Sequence, residues 1–188
     1  MSAVSSPFGF KPVFHPSGQI VANAYYPTVS TMAAIYKGDP VKLDGTTGVV
    51  ILAGDGDATL GVFAGCEYND ATGKPTYSSY WPGSTAGATN IVFYVYDDLN
   101  LIYEAQGVSV IAATAIGDSC DSTAATGSAY TGVSAITLKT GTLSGAATVK
   151  QWRIMGLAPW IDNSWSDTYP VLRVTQGLNF RFVAKDAI

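Results

Sequence analysis

The sequence predicts a mainly β, single-domain protein, and three observations lead to that prediction. Short runs of β-prone residues recur from residue 35 onward, separated by Gly, Asp, Asn and Pro. No segment shows a sustained apolar repeat of 3.6 residues, so helix is expected to be scarce. The chain has 188 residues, which is long enough to bury a core without a disulfide or metal staple.

Two runs show the strand pattern most clearly. Between residues 60 and 68, strict alternation puts Val62 and Cys66 on one apolar face and Phe63 on the opposite face. The run at residues 91–96, Ile-Val-Phe-Tyr-Val-Tyr, is apolar on both faces. Such a strand is expected to be covered by the core on one side and by another element or subunit on the other.

The composition favours a structural protein that packs against other subunits. Only 13% of residues are charged, against roughly 25% in an ordinary soluble domain. A net charge of −4, with the ten basic residues scattered along the chain, argues against nucleic-acid binding. The longest apolar stretches fall short of the ~20 residues that a membrane span needs, so no membrane partner is expected. The start of the chain lacks a cationic segment followed by an apolar one, which predicts no secretory signal.

Residues 1–22 are predicted to form an extended N-terminal arm, because prolines at positions 7, 12 and 16 exclude a regular helix. Phe8, Phe10 and Phe14 would anchor this arm, either on a neighbouring subunit or as a cap on the chain's own β domain. Residues 23–188 are predicted to form that domain, with residues 108–145 as a candidate inserted subdomain.

Two aromatic segments are candidates for contact with a neighbour. Residues 69–90 form the longest predicted loop, whose Tyr77, Tyr80 and Trp81 are too apolar to stay in water. The alternative for this loop is a compact fold closed on its own aromatics. A second loop carries Trp160 and Trp165, a layout found in glycan binders and in protein interfaces, of which we favour the interface.

The sequence offers little for catalysis, so we expect a protein that is not an enzyme and needs no cofactor. The only histidine, His15, lies between a phenylalanine and a proline in the arm and fits an aromatic or polar contact better than a general base. No Cys or His spacing matches a metal site. The acidic turns at residues 54–57 and 97–98 are interpreted as solvated turns rather than calcium sites. Cys66 and Cys120 are interpreted as buried free thiols, with a disulfide as the alternative.

The arm resembles the opening of small structural proteins of tailed bacteriophages, podovirus-like ones in particular, which reads Gly-Phe-Arg-Pro-Val-x-His-x-x-Gly. Further motifs follow in a similar order and extend the resemblance over most of the chain. The matching segments are Gly9-Phe10-Lys11-Pro12-Val13-Phe14-His15-Pro16-Ser17-Gly18, residues 35–41 with Gly38-Asp39-Pro40-Val41, residues 58–65 with Gly61-Val62-Phe63, Tyr103-Glu104-Ala105-Gln106, Ile116-Gly117-Asp118 and Arg153-Ile154-Met155-Gly156-Leu157 with Asp162-Asn163.

This resemblance implies a capsid decoration (cement) protein with a β-barrel or β-tulip-like fold. Such proteins dock on the outside of the expanded head as homotrimers and bridge neighbouring major capsid proteins. The implied location is the virion surface, after synthesis in the host cytoplasm. The alternative is a head-surface or fibre module that binds a receptor or a glycan through the tryptophan loop.

Overall fold

The structure is a computed structural model that describes residues 4–28, 32–145 and 148–182. It confirms the mainly β prediction, because helical structure in these ranges is limited to short 3-10 turns at Ala113–Ala115, Thr140–Thr142 and Phe180–Phe182. The strands are β1 (Lys11–Phe14), β2 (Asn23–Tyr25), β3 (Pro40–Leu43), β4 (Val50–Leu52), β5 (Gly61–Asn69), β6 (Pro75–Ser78), β7 (Thr89–Tyr96), β8 (Ile102–Gln106), β9 (Ser119–Cys120), β10 (Trp152–Leu157) and β11 (Val171–Gln176).

These strands form two antiparallel sheets within a single compact domain. The first sheet has the order β1-β8-β11-β10-β9. The second has the order β2-β7-β5-β3-β4, with β6 paired to the later half of β5. The strands do not close into one barrel, so the barrel expectation is met only loosely.

The first core lies on the inner face of the first sheet. Trp152 and Tyr103, both fully buried, pack there with their rings 5.6 Å apart. The segment at residues 108–145 contributes Ile136 and Leu138 to the same core, and Leu138 N donates to Gln106 O at 2.8 Å. This segment therefore lies against the first sheet and completes its hydrophobic core.

The second core lies on one face of the second sheet, around Phe63, Trp81 and Phe93. The strict alternation predicted for β5 is wrong, because a β-bulge shifts the register between Phe63 and Gly65. A bulge adds one residue to a strand and exchanges the faces beyond it. As a result Phe63 and Cys66 both enter the second core, while Val62 enters the first.

The N-terminal arm is built into the domain. β1 pairs with β8 as the edge strand of the first sheet, and Phe10, 1% exposed, stacks on Trp152 with a ring separation of 4.0 Å. Phe10 N also donates to Gly38 O at 2.8 Å, where the arm crosses the chain just before β3. Gly9 has a φ of 70°, and a Cβ at this position would lie 2.6 Å from Gly38 O. Only glycine permits so close a crossing.

Both cysteines are buried and free, as the preferred interpretation of the sequence had it. Burial raises the pKa of the Cys66 thiol to about 12, and burial with the negative charge of Asp121 does the same for Cys120. Both thiols therefore stay protonated at neutral pH and act as small apolar groups of the two cores.

Candidate interaction surfaces

The outward face of the first sheet is closed by the chain itself, and Glu104 is the centre of that closure. Glu104 as a whole is only 4% exposed. Oε2 accepts a hydrogen bond from Trp160 Nε1 at 3.1 Å, and Oε1 accepts one from Arg173 Nε at 3.3 Å. A buried carboxylate is stable only when such donors surround it, so this face depends on the tryptophan loop.

The start of the chain completes the cover. Ser6 N donates to Gln106 Oε1 at 2.9 Å, and Gln106 Nε2 donates to Val4 O at 3.1 Å. Phe8 stacks on Trp160 with ring centroids 5.9 Å apart. The first described residues of the arm are thus held on the chain's own first sheet.

The tryptophan loop is tied down at both ends. Asn163 Nδ2 donates to the carbonyls of Ala158 and Val171 at 2.9 and 2.7 Å, and Val171 N donates back to Asn163 Oδ1 at 2.9 Å. Trp165 packs against the first core. Both tryptophans proposed as ligand contacts are therefore partly buried in contacts within the chain, which weakens the case for a stacking site on sugars.

The second sheet, in contrast, has an open area on the face opposite its core, which we call the tyrosine face. Cross-strand pairing places Tyr77 beside Glu67, Glu67 beside Val92, and Tyr94 beside Ala24. Residues paired directly across antiparallel strands project from the same side of a sheet. The tyrosine face consists of Ala24, Tyr26, Glu67, Tyr77, Val92 and Tyr94.

Two tyrosines of this face are largely exposed, the third, Tyr94, is partly buried, and the three interact electrostatically. Tyr77 and Tyr26 are 77% and 73% exposed. A hydrogen bond to the Glu67 carboxylate raises the pKa of the Tyr94 hydroxyl, with smaller contributions from Tyr26 and Tyr77. Glu67 therefore anchors one hydroxyl, while the aromatic rings remain available to another surface. Tyrosine is enriched in protein interfaces because it presents apolar area and a polar tip together.

The other sequence-predicted contact residues occupy several different places. Trp81 is fully buried in the second core, so it and Phe10 have no surface with which to touch a neighbour. Tyr80 stacks on Tyr36 with ring centroids 5.5 Å apart. Phe14 remains 51% exposed at the end of β1.

His15 holds the end of β1 to the turn before β8. Its Nε2 lies 3.3 Å from Asp98 Oδ2, and its Nδ1 lies 2.6 Å from Ser17 Oγ. These contacts give the histidine a positioning role within the arm.

The acidic turns are engaged in local hydrogen bonds and ion pairs. Asp57 Oδ2 accepts from Gly54 N at 2.6 Å and lies 3.1 Å from Lys42 Nζ. Asp97 accepts from Asn23 Nδ2 and from the Tyr25 hydroxyl, both at 2.7 Å. In residues 4–28, 32–145 and 148–182 no group of three or more His, Cys, Asp or Glu side chains has metal-binding geometry.

Sequence reasoning missed the tyrosine face as a unit. It selected Tyr77 but neither Tyr26 nor Tyr94. The signal for Tyr94 was present in the doubly apolar run at residues 91–96, whose second face needed a cover. The neighbours of Tyr94 depend on strand pairing across β5, β6 and β7, which the order of residues does not reveal.

Within the described ranges, none of the helical turns has the length and apolar character required to span a bilayer. Comparison of the chain with protein-family models, with curated protein sequences and with solved structures found no match.

Proposed function

We propose that this chain is a structural virion protein that decorates the outer surface of a phage head. It would stabilise the shell as a homotrimer that bridges neighbouring major capsid proteins. The observation that carries the proposal is the open tyrosine face on a protein with very little surface charge. The order of phage-like motifs along the chain supports the same class of protein.

The tyrosine face has the chemistry of a protein-docking surface. It presents exposed aromatic rings on a rigid sheet, and rigid aromatic groups lose little conformational entropy on binding. Its flanking strand β2 is an edge strand that, among the described strands, pairs only with β7. Edge strands left unpaired are sites where a partner chain adds main-chain hydrogen bonds.

Because the head is symmetric, a trimer could bind several capsid proteins at once, and its overall affinity would exceed that of a single copy. Three linked copies that engage adjacent capsid proteins gain avidity, because each later contact forms at a high effective concentration. A small tyrosine-bearing area on each chain would therefore be enough for stable decoration.

The decisive experiment is a head-binding assay with variants of the tyrosine face. Expanded heads lacking this protein are titrated with wild-type chain and with the double variant Tyr77→Ala/Tyr94→Ala. We expect the double variant to bind at least about tenfold more weakly, since truncated aromatic contacts at interface centres typically cost more than 1 kcal/mol each.

The matched control is Tyr130→Ala, because Tyr130 is 98% exposed and lies on the 128–133 turn outside the tyrosine face. This variant should bind heads like the wild type. Equal binding by the double variant and the wild type would exclude the tyrosine face as the docking surface. Failure of the wild-type chain to bind any head would overturn the capsid function.

A copy-number measurement separates decoration from the alternative of a receptor-binding fibre. Quantitative mass spectrometry of purified particles should find this chain at a level comparable to that of the major capsid protein. Light scattering of the free protein should give the mass of three chains. A few copies per particle would instead favour a fibre or adhesin.

A further inference from the structure

A second feature, separate from the tyrosine face, is an apolar cleft of about 390 Å³ beside the N-terminal arm. It opens where β1 of the first sheet approaches β5 and β7 of the second. The accessible apolar wall comes from Phe8, Tyr96, Val133 and Trp160, which are partly exposed, whereas the neighbouring Phe10 and Phe63 are buried. The lining residues are Phe8, Phe10, Lys11, Pro12, Lys37, Gly38, Phe63, Tyr96, Val133 and Trp160.

The cleft has the size and character of a ligand site. Small-molecule sites in proteins occupy about 300–1,000 Å³ and combine apolar walls with a few polar groups. Here Phe10 and Phe63 belong to the two cores, so their positions are set by packing. Phe8 and Trp160 are held by their stacking and by the hydrogen bond of Trp160 to Glu104. The walls are therefore preformed.

The charge around the cleft is opposite to that of the whole protein. Its two charged lining residues, Lys11 and Lys37, are both exposed lysines, although the chain carries a net charge of −4. Neither ammonium group forms an ion pair with any described residue of the chain, whereas Lys42, Lys139 and Lys150 each pair with an aspartate. The nearby Glu104 carboxylate is neutralised by Arg173.

We propose that this cleft binds a small apolar carboxylate, with the apolar body among the aromatic rings and the carboxylate between Lys11 and Lys37. The apolar walls would supply affinity through burial, in proportion to the area removed from water. The two lysines would select an anionic head group over a neutral one. This binding does not depend on the head-docking role.

The first test is calorimetric titration of the full chain with decanoate, octanoate and decanol. Decanoate should bind more tightly than decanol, because only decanoate places a charge near the lysines. Shortening the chain by two carbons should weaken binding about tenfold or more, since each buried methylene contributes about fourfold in affinity. The Trp160 indole NMR signal should shift on binding.

The second test uses the double variant Lys11→Gln/Lys37→Gln, which keeps most of each side-chain stem and removes its charge. It should bind decanoate about tenfold more weakly and bind decanol unchanged. The matched control Lys74→Gln removes an exposed lysine from the β5–β6 turn and should leave both affinities unaltered. The variant Val133→Phe, which fills the cleft, should abolish binding of both ligands.

Three results would overturn the proposal. They are absence of decanoate binding to the wild type at millimolar concentration, equal affinity for decanoate and decanol, and no weakening in the double lysine variant. The lysine variant lies on the surface and retains the fold, so the proposal stays testable even if Val133→Phe is unstable. Thermal unfolding of each variant verifies this. Head binding by the tyrosine variants has no bearing on these three decanoate measurements, so failure of the proposed function and failure of the ligand proposal can be told apart.

Discussion

The outward faces of the two sheets differ in what covers them. On the first sheet, the arm and the tryptophan loop cover Glu104 and Gln106, which are 4% and 2% exposed. On the second sheet, Tyr77 and Tyr26 of the tyrosine face remain more than 70% exposed. Both faces carry a glutamate at their centre, yet one glutamate is buried under a tryptophan and the other supports a tyrosine hydroxyl.

This contrast teaches that the aromatic residues of the chain serve two purposes. Those near the arm and the tryptophan loop, such as Phe8 and Trp160, stabilise the protein by contacts within the chain. Those of the tyrosine face, Tyr26 and Tyr77 in particular, are exposed, and we propose that they contact another molecule. A sheet face that is closed needs no partner, so the open face is where we expect docking.

The largest effect should come from removing the residue that fastens the arm. Phe10→Ala should lower the free energy of unfolding by about 3–5 kcal/mol, the usual cost of truncating a buried phenylalanine. Chemical denaturation measures this change. Phe14→Ala, four residues later on the same arm but 51% exposed, is the matched control and should cost less than about 1 kcal/mol. A similar small loss in both variants would mean that the arm does not hold the closed face together.

The second effect concerns Asp39, which follows the glycine that the arm crosses. Burial raises the pKa of its carboxyl to about 6, and the hydrogen bond from Tyr36 N at 2.7 Å offsets this only in part. In the unfolded chain this carboxyl has its ordinary pKa of 3.8. Between these two values the folded protein binds the proton more strongly, so the free energy of unfolding should decrease by about 2 kcal/mol as pH rises from 4 to 6.

Denaturation of the wild type and of Asp39→Asn at pH 4, 5, 6 and 7 isolates this contribution. The difference between the two proteins in free energy of unfolding should change mainly between pH 4 and 6 and only slightly between pH 6 and 7. A difference that does not vary with pH would show that Asp39 is not desolvated at the crossing. The crossing would then be more open to water than the closed face beside it.

The smallest effect compares the two glutamates directly. Glu104→Ala should lower the free energy of unfolding by about 2 kcal/mol, because it leaves the Trp160 indole and part of the Arg173 guanidinium without an acceptor. Glu67→Ala, on the tyrosine face, should change it by less than about 0.5 kcal/mol. Equal costs in thermal or chemical denaturation would break the distinction between a closed and an open face.

The sequence predicted strands and turns correctly where residue type and near neighbours determine the structure. The run at residues 91–96 became β7, and the Gly-Asp punctuation marked turns between strands. The alternation of β5 is interrupted by a bulge at Gly65, whose φ is 153°, and a second register shift follows between Glu67 and Asn69. A bulge changes which face a residue occupies without changing composition, so alternation cannot reveal it.

The candidate contacts were harder to predict because burial depends on distant parts of the chain. Trp81 was assigned to a loop surface, yet it pairs with Ile35 by a β-bridge and lies in the second core. Tyr77, from the same predicted loop, is 77% exposed, and its contact with a neighbour stays a prediction. No local pattern in the sequence links the lysines of the cleft, since Lys11 and Lys37 lie in different parts of the chain and line the same cleft only in the folded protein.

The sequence by itself determined that this protein is mainly β, weakly charged and punctuated by tight turns, because these properties depend on residue type and near neighbours. Only the tertiary structure decided which aromatic side chains are buried in the cores and which are exposed on the surface. That division follows from pairings between residues far apart in the chain, such as Phe10 with Trp152 and Ala24 with Tyr94. An apolar side chain is buried only where distant parts of the chain pack against it, and no such packing covers Tyr26 and Tyr77 of the tyrosine face.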